Sequence, residues 1–151
     1  MRIGVISDTH ASSLADLPDR ILAALDGVDL IIHAGDFTTR SVLDGLRQMG
    51  QVMAVHGNMD TEELKRILPE KEFLSAEGHR IGITHGWGAP DGIEERVSSL
   101  FNDVDIIVFG HSHRSQNKVI DDILFFNPGR AGDSLGILTI GEQVKGEIVR
   151  L

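Results

Sequence analysis

The sequence contains no cysteine, which excludes disulfide bonds and thiolate metal sites. No basic leader precedes the first apolar run, so we expect no secretory signal peptide. No apolar run approaches the roughly 20 residues that a membrane-spanning helix requires. We therefore expect a cytoplasmic protein without a membrane partner.

Positive charge is also scarce, because 14 Lys and Arg face 23 Asp and Glu and leave a net charge of −9. Binding to long nucleic acid usually relies on a basic surface, so this composition argues against it. The 151 residues contain 41% hydrophobic side chains, no repeat and no linker-like segment. We expect one domain over residues 1–151, long enough to bury its own core.

Short runs rich in Ile and Val, bounded by Gly, Asp or Asn, predict buried strands. They are Arg2–Ser7, Leu30–His33, Val52–His56, Arg80–Thr84 and Asp105–Phe109. Segments with helical spacing lie between them, at Leu17–Leu25, Val42–Leu46, Thr61–Leu64 and Ile93–Leu100. Alternating strands and helices favour parallel pairing with right-handed crossovers.

The C-terminal part reads as two antiparallel hairpins. Lys118–Ile120 and Leu124–Phe126 flank Asp121-Asp122, and Leu135–Ile140 and Val144–Val149 flank Gly141-Glu142. The sequence therefore predicts an α/β fold with a mixed sheet or a sandwich of two sheets.

Metal-ligating side chains follow each of the five predicted strands. They are Asp8 and His10, Asp36, Asn58, His85, and His111 with His113, and four of the five strand ends carry a neighbouring glycine. Ligands of α/β folds bind beyond the carboxyl ends of the strands, and glycine permits close backbone approach there. In extended backbone, residues i and i+2 point the same way, so each D-x-H or H-x-H pair could aim at one point. Oxygen and imidazole donors without sulfur suit Mn, Fe or Zn.

This ordered set of motifs, from Asp8 to His113, resembles the calcineurin-like metallophosphoesterases. Together with Phe126-Asn127-Pro128-Gly129, it is most similar to the small bacterial and archaeal phosphodiesterases related to the retromer scaffold subunit. The resemblance implies an α/β sandwich of two mixed β-sheets flanked by helices. It also implies hydrolysis of small phosphate diesters by a hydroxide held between two divalent cations.

The resemblance assigns a role to each of these side chains. One cation would bind Asp8, His10 and His113, the other Asn58, His85 and His111, and Asp36 would bridge them. Asp36, Asn58 and His111 would also take part in catalysis. The cations are expected to be Mn, with Fe, Zn, Ni or Co as alternatives. By analogy with its relatives, the chain could form a homodimer or a homotetramer.

Several positions depart from the family pattern or have two interpretations. Many phosphatases of the superfamily carry a leaving-group acid where Met59 stands, and a thioether cannot donate a proton. His56 and Asp60 are candidate substitutes. Trp87 could pack in the core or at the rim, or serve as a platform for a base or an aromatic ring near the metals. Arg130 is expected at the surface, with phosphate contact as the alternative, and His33 is expected to be structural.

Two other functions stay open from the sequence. The first is a non-catalytic, metal-binding scaffold for protein interactions, which predicts loss of ligands, whereas all seven positions carry competent donors. The second is a nucleotide pyrophosphatase or a nuclease that uses the same site. Hydrolysis of an aryl phosphodiester with added Mn would distinguish the scaffold from an enzyme.

Overall fold

The computed structural model describes all 151 residues, which form two five-stranded sheets with helices on their outer faces. The first sheet has the order β10-β9-β1-β2-β3. Its strands are β1 (Arg2–Ile6), β2 (Leu30–His33), β3 (Val52–Ala54), β9 (Ser134–Ile140) and β10 (Val144–Arg150). β1, β2 and β3 are parallel, whereas β9 and β10 are antiparallel additions next to β1. The sheet is therefore mixed, as predicted.

The second sheet has the order β4-β5-β6-β8-β7. Its strands are β4 (Lys71–Ala76), β5 (His79–Thr84), β6 (Ile106–Val108), β7 (Gln116–Ile120) and β8 (Ile123–Asn127). β5, β6 and β8 are parallel, and the edge strands β4 and β7 are antiparallel to their neighbours. Both C-terminal hairpins form where predicted, but β8 of the first one joins β6 in parallel.

Strand β4 was not predicted from the sequence. Its residues 71–75 alternate between exposed and half-buried positions, Ala76 is buried, and the strand contains neither Ile nor Val. An edge strand is covered on one side only, so it does not need the continuous apolar run that identified the other strands.

The four helices are α1 (Asp19–Leu25), α2 (Arg40–Met49), α3 (Glu62–Ile67) and α4 (Ile93–Ser98), close to the predicted segments. Thr61 caps α3, because its hydroxyl accepts the backbone N–H of Leu64. None of these helices has the length and the apolar composition that crossing a bilayer demands.

Side-chain alternation divides the core into three clusters. Ile3 and Val5 of β1 pack with Ile81 of β5 and Val108 of β6, which fills the space between the sheets. The helices α1, α2 and α3 cover the outer face of the first sheet. Helix α4 covers the outer face of the second sheet. The molecule is thus an α/β sandwich of two mixed sheets flanked by helices, with parallel strands from both sheets ending at one edge.

Candidate metal centre

The predicted metal ligands meet where the two sheets face each other. The loops after β1, β2 and β3 supply Asp8, His10, Asp36 and Asn58, and the loops after β5 and β6 supply His85, His111 and His113. Donor atoms of Asp8, His10 and His113 lie within 4.8 Å of one another, as do those of Asp8, Asp36 and His85. The first sheet therefore contributes four of the seven side chains and the second sheet three.

The backbone at these positions is left-handed rather than extended. The φ angles are 55° at Asp8, 46° at His10, 63° at Asp36, 68° at His111 and 61° at His113. The expected alternation of residues i and i+2 is therefore the wrong explanation for their convergence. His111 and His113 in fact point to different parts of the site, since His113 joins Asp8 and His111 lies beside His85. Such conformations cost about 1–3 kcal/mol each and cluster at functional sites.

Glycines beside the predicted ligands allow this close packing. A Cβ atom at Gly57 would overlap Oδ1 of Asp36, and one at Gly110 would overlap Oγ of Ser7. A Cβ at Gly35 would lie 2.7 Å from Nδ1 of His85. The three glycines are thus required by the approach of neighbouring loops.

Asp8 holds an unpaired buried oxygen at the centre of the site. Its Oδ2 accepts the hydroxyl of Ser7 at 2.7 Å and the backbone N–H of His111 at 3.2 Å. Its Oδ1 is buried without any hydrogen-bond partner and lies 3.4 Å from Nε2 of His113. Burial raises the pKa of Asp8 above its ordinary value, and the nearby His85 and His113 only partly offset this effect. A buried, unpaired carboxylate oxygen among imidazoles is a suitable metal ligand.

The atoms around His85 are also arranged as ligands of a cation. Its Nδ1 contacts the carbonyl of Ala34 at 2.7 Å, which assigns the proton of the neutral ring to Nδ1. The lone pair on Nε2 then faces Oδ2 of Asp36 at 3.2 Å and Oδ1 of Asn58 at 3.1 Å. Burial lowers the pKa of His85, but Asp36, Asp8 and the Ala34 carbonyl outweigh it and raise the net pKa. Three electron-rich atoms converge at this point, so the donor set fits a divalent metal ion.

Asp36 lies between His10 on one side and His85 on the other. Its Oδ1 accepts the backbone N–H of Met59 at 2.8 Å. Its Oδ2 faces both His85, at 3.2 Å, and Nε2 of His10, at 3.9 Å. Burial alone raises the pKa of Asp36, but hydrogen bonding and charge interaction with the protonated form of His85 leave the pKa below the ordinary value. The carboxylate of Asp36 is therefore anionic, and its Oδ2 is directed at the imidazoles of both His10 and His85.

His111 is half-buried, and one nitrogen of its ring contacts the protein itself. Its Nε2 donates to the carbonyl of Gly88 at 2.9 Å, which leaves only Nδ1 for a metal ion. Its ring centroid lies 5.2 Å from that of His85, in an edge-to-face arrangement. This position places His111 on the same side as Asn58 and His85.

Asp60 supports the site in a way that the sequence did not reveal. Its Oδ2 accepts the backbone N–H groups of Asp36, at 3.0 Å, and Gly57, at 2.7 Å, and its Oδ1 accepts that of Thr38 at 2.9 Å. The carboxylate is thus saturated with donors and joins two loops. Both of its oxygens already accept hydrogen bonds from the backbone, so neither is free to protonate a leaving group. This corrects the interpretation of Asp60 as a candidate leaving-group acid in place of the one missing at Met59.

Two further buried polar residues, Asn127 and His33, position the loops. Asn127 donates through Nδ2 to the carbonyl of Gly110 at 3.1 Å and accepts the N–H of Gly129 at 2.9 Å. Its place at a strand end before Pro-Gly is the signal that could have identified it. His33 accepts the N–H of Gly35 at 3.0 Å and stacks on Phe37 at 3.5 Å between centroids. Burial, with the charge of His85, holds the pKa of His33 well below 6.5, so the ring is neutral and structural.

Four other positions singled out from the sequence lie around the site. The side chain of Met59 is 59% exposed, while its backbone orients Asp36. Trp87 and His56 line one cleft beside Asn58 and His85. Arg130 lies at the surface, paired with Asp133 at 3.4 Å, and borders a second cleft beside His10 and His113.

Comparison with known proteins identifies the family of the chain. Residues 1–141 match the calcineurin-like phosphoesterase superfamily domain. The chain is 40% identical to a probable metallophosphoesterase of Methanocaldococcus jannaschii over 133 residues, which cover 85% of this chain and 67% of the relative. It is 34% identical to a phosphodiesterase of the same archaeon, with 93% and 91% of the two chains covered.

The fold is also similar to that of a solved structure. The crystal structure of Vps29 from Chaetomium thermophilum has a TM-score of 0.79 and 25% identity, covering 99% of this chain and 97% of that one. The match over residues 1–141, the identity to metallophosphoesterases and the cluster of Asp and His side chains agree with one another. The chain therefore belongs to the calcineurin-like phosphoesterase superfamily.

Proposed function

We propose that the protein is a phosphodiesterase with a dinuclear metal site, formed by a single domain over residues 1–151. Asp8, His10 and His113 would hold one cation, and Asn58, His85 and His111 the other. Asp36 would bridge the two. The cations would be Mn, or alternatively Fe, Zn, Ni or Co. The observation that carries the proposal is the position of Asp36 Oδ2, which faces His85 at 3.2 Å and His10 at 3.9 Å.

When bound, two divalent cations would polarise the phosphoryl oxygens and lower the pKa of a coordinated water. The chain's own residues would fix where this occurs. The N–H of Met59 occupies one oxygen of Asp36 and keeps the other directed inward. Ser7 and the N–H of His111 do the same for Asp8. These contacts exist before substrate binds, so little reorganisation would be needed during the reaction.

The preference for diesters with good leaving groups rests on Met59 and Asp60. The side chain of Met59 cannot donate a proton, and the carboxylate of Asp60 is occupied by three backbone N–H groups. His56 borders the cleft beside Asn58 and stays the only candidate substitute among the two that the sequence suggested. We therefore expect a small phosphate diester, rather than an alkyl monoester, as the class of substrate.

A second candidate is a non-catalytic interaction scaffold, which the likeness to Vps29 favours. The seven competent donors and their convergence support the enzyme instead. Location in the cytoplasm and assembly into a dimer or a tetramer stay predictions.

The test uses protein stripped of metal with a chelator and then supplied separately with Mn, Co, Ni, Zn, Fe or Mg. Hydrolysis of bis-p-nitrophenyl phosphate is compared with hydrolysis of an alkyl phosphate monoester, and bound metal is counted. We expect turnover of the aryl diester with about two bound ions. Two bound ions without turnover of any ester would support the scaffold and refute the phosphodiesterase.

A further inference from the structure

A cleft of about 250 Å³ opens directly beside the predicted ligands Asn58 and His85. Trp87 is the one large apolar side chain along a lining that is otherwise polar or glycine. His56, Lys65 and Glu70 supply polar groups to the same cleft. A substituent on a phosphate held by Asn58 and His85 would therefore enter this cleft.

Trp87 is 45% exposed, although it is the only tryptophan of the chain. The backbone of its loop is held in place, since Arg96 donates Nε to the carbonyl of Trp87 at 2.8 Å. The same guanidinium donates to the carbonyls of Ala89 and Asp91. His111 donates to the carbonyl of Gly88 at 2.9 Å. The loop that carries the indole is thus anchored at four carbonyls, one of them by a predicted metal ligand.

Three polar side chains that line the cleft, those of Lys65, Glu70 and His56, make little or no contact with the rest of the protein. The side chains of Lys65 and Glu70 form no ion pair and no hydrogen bond. His56 has one distant contact, from Nδ1 to the carbonyl of Gly57 at 3.5 Å. The cleft therefore offers a flat aromatic surface with free donors and acceptors around it.

We propose that this cleft binds the nucleobase of a nucleoside-containing phosphate diester, with the base stacked on Trp87. The inference rests on the proposed function and names its class of substrate. A heteroaromatic base has both a face that stacks on indole and an edge that hydrogen-bonds, which matches Trp87 surrounded by Lys65, Glu70 and His56. The net charge of −9 disfavours a long polynucleotide, so the substrate is a small nucleotide ester.

The first test compares two diesters that release the same p-nitrophenolate, namely the p-nitrophenyl ester of thymidine 5′-monophosphate and ethyl p-nitrophenyl phosphate. Hydrolysis adds the oxygen of water to phosphorus and expels p-nitrophenolate in both cases, so their ratio of kcat/KM isolates the effect of the nucleoside. We expect the metal-loaded protein to favour the thymidine ester. Trp87→Ala should lower that ratio about tenfold, the size of one lost stacking contact.

Two variants serve as controls for this ratio. Trp87→Phe keeps an aromatic face and should retain most of the preference. Phe73→Ala removes another exposed aromatic ring, 39% exposed on β4, which lines a different cleft with Arg80. It should leave the ratio unchanged. Equal ratios in the wild type and in Trp87→Ala, with the ethyl ester cleaved, would overturn the inference.

The second test does not depend on turnover. Trp87 is the only source of tryptophan fluorescence, and the chain has no tyrosine. Thymidine 5′-monophosphate should quench this fluorescence in a saturable way in protein loaded with Zn, whereas ribose 5-phosphate should not. If neither ester is cleaved, the proposed phosphodiesterase activity fails, and this titration still decides the inference. Absence of selective quenching by the nucleotide would refute base binding even in an active enzyme.

Discussion

Replacing Asp60 by asparagine should damage both the stability of the protein and its affinity for metal. The side chain is 6% exposed and accepts three backbone N–H groups, from Asp36, Thr38 and Gly57. These bonds connect the loop of the predicted bridging ligand Asp36 with the loop that precedes Asn58. The substitution preserves size and shape, so its effect would come from charge and hydrogen bonding alone.

The structure gives the expected magnitude. The amide oxygen of Asp60→Asn could take the place of Oδ2 and keep the bonds to Asp36 and Gly57. The amide NH₂ would then face the N–H of Thr38, so one bond to a charged group would be lost and two donors would oppose each other. We expect a loss of about 2–3 kcal/mol in the free energy of unfolding. Metal affinity should fall about 10- to 100-fold, as for other groups that orient ligands.

Urea unfolding of the metal-free protein measures the first quantity, and calorimetric titration with Mn measures the second. The matched control is Asp105→Asn, because Asp105 is exposed and accepts one backbone N–H, from Arg80 at 2.8 Å. An amide oxygen can keep that bond, so its cost should stay below about 1 kcal/mol. Equal losses in the two variants, with metal affinity intact in both, would show that Asp60 does not organise the site.

Three further predictions follow from the site. Asp36→Asn should abolish hydrolysis and reduce bound metal while circular dichroism stays that of the wild type; an active variant with two bound ions would contradict the bridging role. Met59→His should raise kcat/KM for an alkyl monoester about tenfold, with little change for an aryl diester, because general acid catalysis helps only poor leaving groups; an equal change on both substrates would mean that residue 59 does not face the leaving group. His33→Asn should flatten the acid sensitivity of stability. The folded pKa of His33 lies well below 6.5, so below that pH the unfolded chain takes up a proton that the folded protein excludes, and stability falls as pH falls. At about pH 5.5 the wild type should have lost about 1 kcal/mol more than the variant, relative to neutral pH, in urea unfolding of metal-free protein; parallel pH profiles would refute a neutral, buried His33.

The sequence was sufficient to predict most strands, which depend on local apolar patterns, and the convergence of the donors, because ligands of α/β folds bind beyond the carboxyl ends of the strands. Ile- and Val-rich runs identified the buried strands, and a donor followed each run. The edge strand β4 was not predicted because half of its side chains face solvent. Whether a strand lies at an edge is decided only when the sheet assembles, so an edge strand cannot be identified from a local apolar run.

The arrangement within the site was harder to predict. The left-handed backbone at Asp8, Asp36 and His111 depends on loops that are far apart in the sequence. The contacts of Asp60 with Asp36 and Thr38 span more than 20 residues, and a motif does not show which N–H groups a carboxylate will accept. Spacing therefore identified the candidate ligands, while the groups that orient them became visible only in three dimensions.

The division of the predicted ligands between the two sheets has a consequence for the stability and the proteolytic lifetime of the protein. Cations held by Asp36 from one sheet and His85 from the other would act as a removable cross-link across the sandwich. Ions that bind only the folded chain add about 2.7 kcal/mol of stability at a free concentration 100 times their dissociation constant. The melting temperature would then rise with the supply of free metal. The time for which the protein resists proteolysis would thereby increase with the availability of metal, even in the absence of substrate.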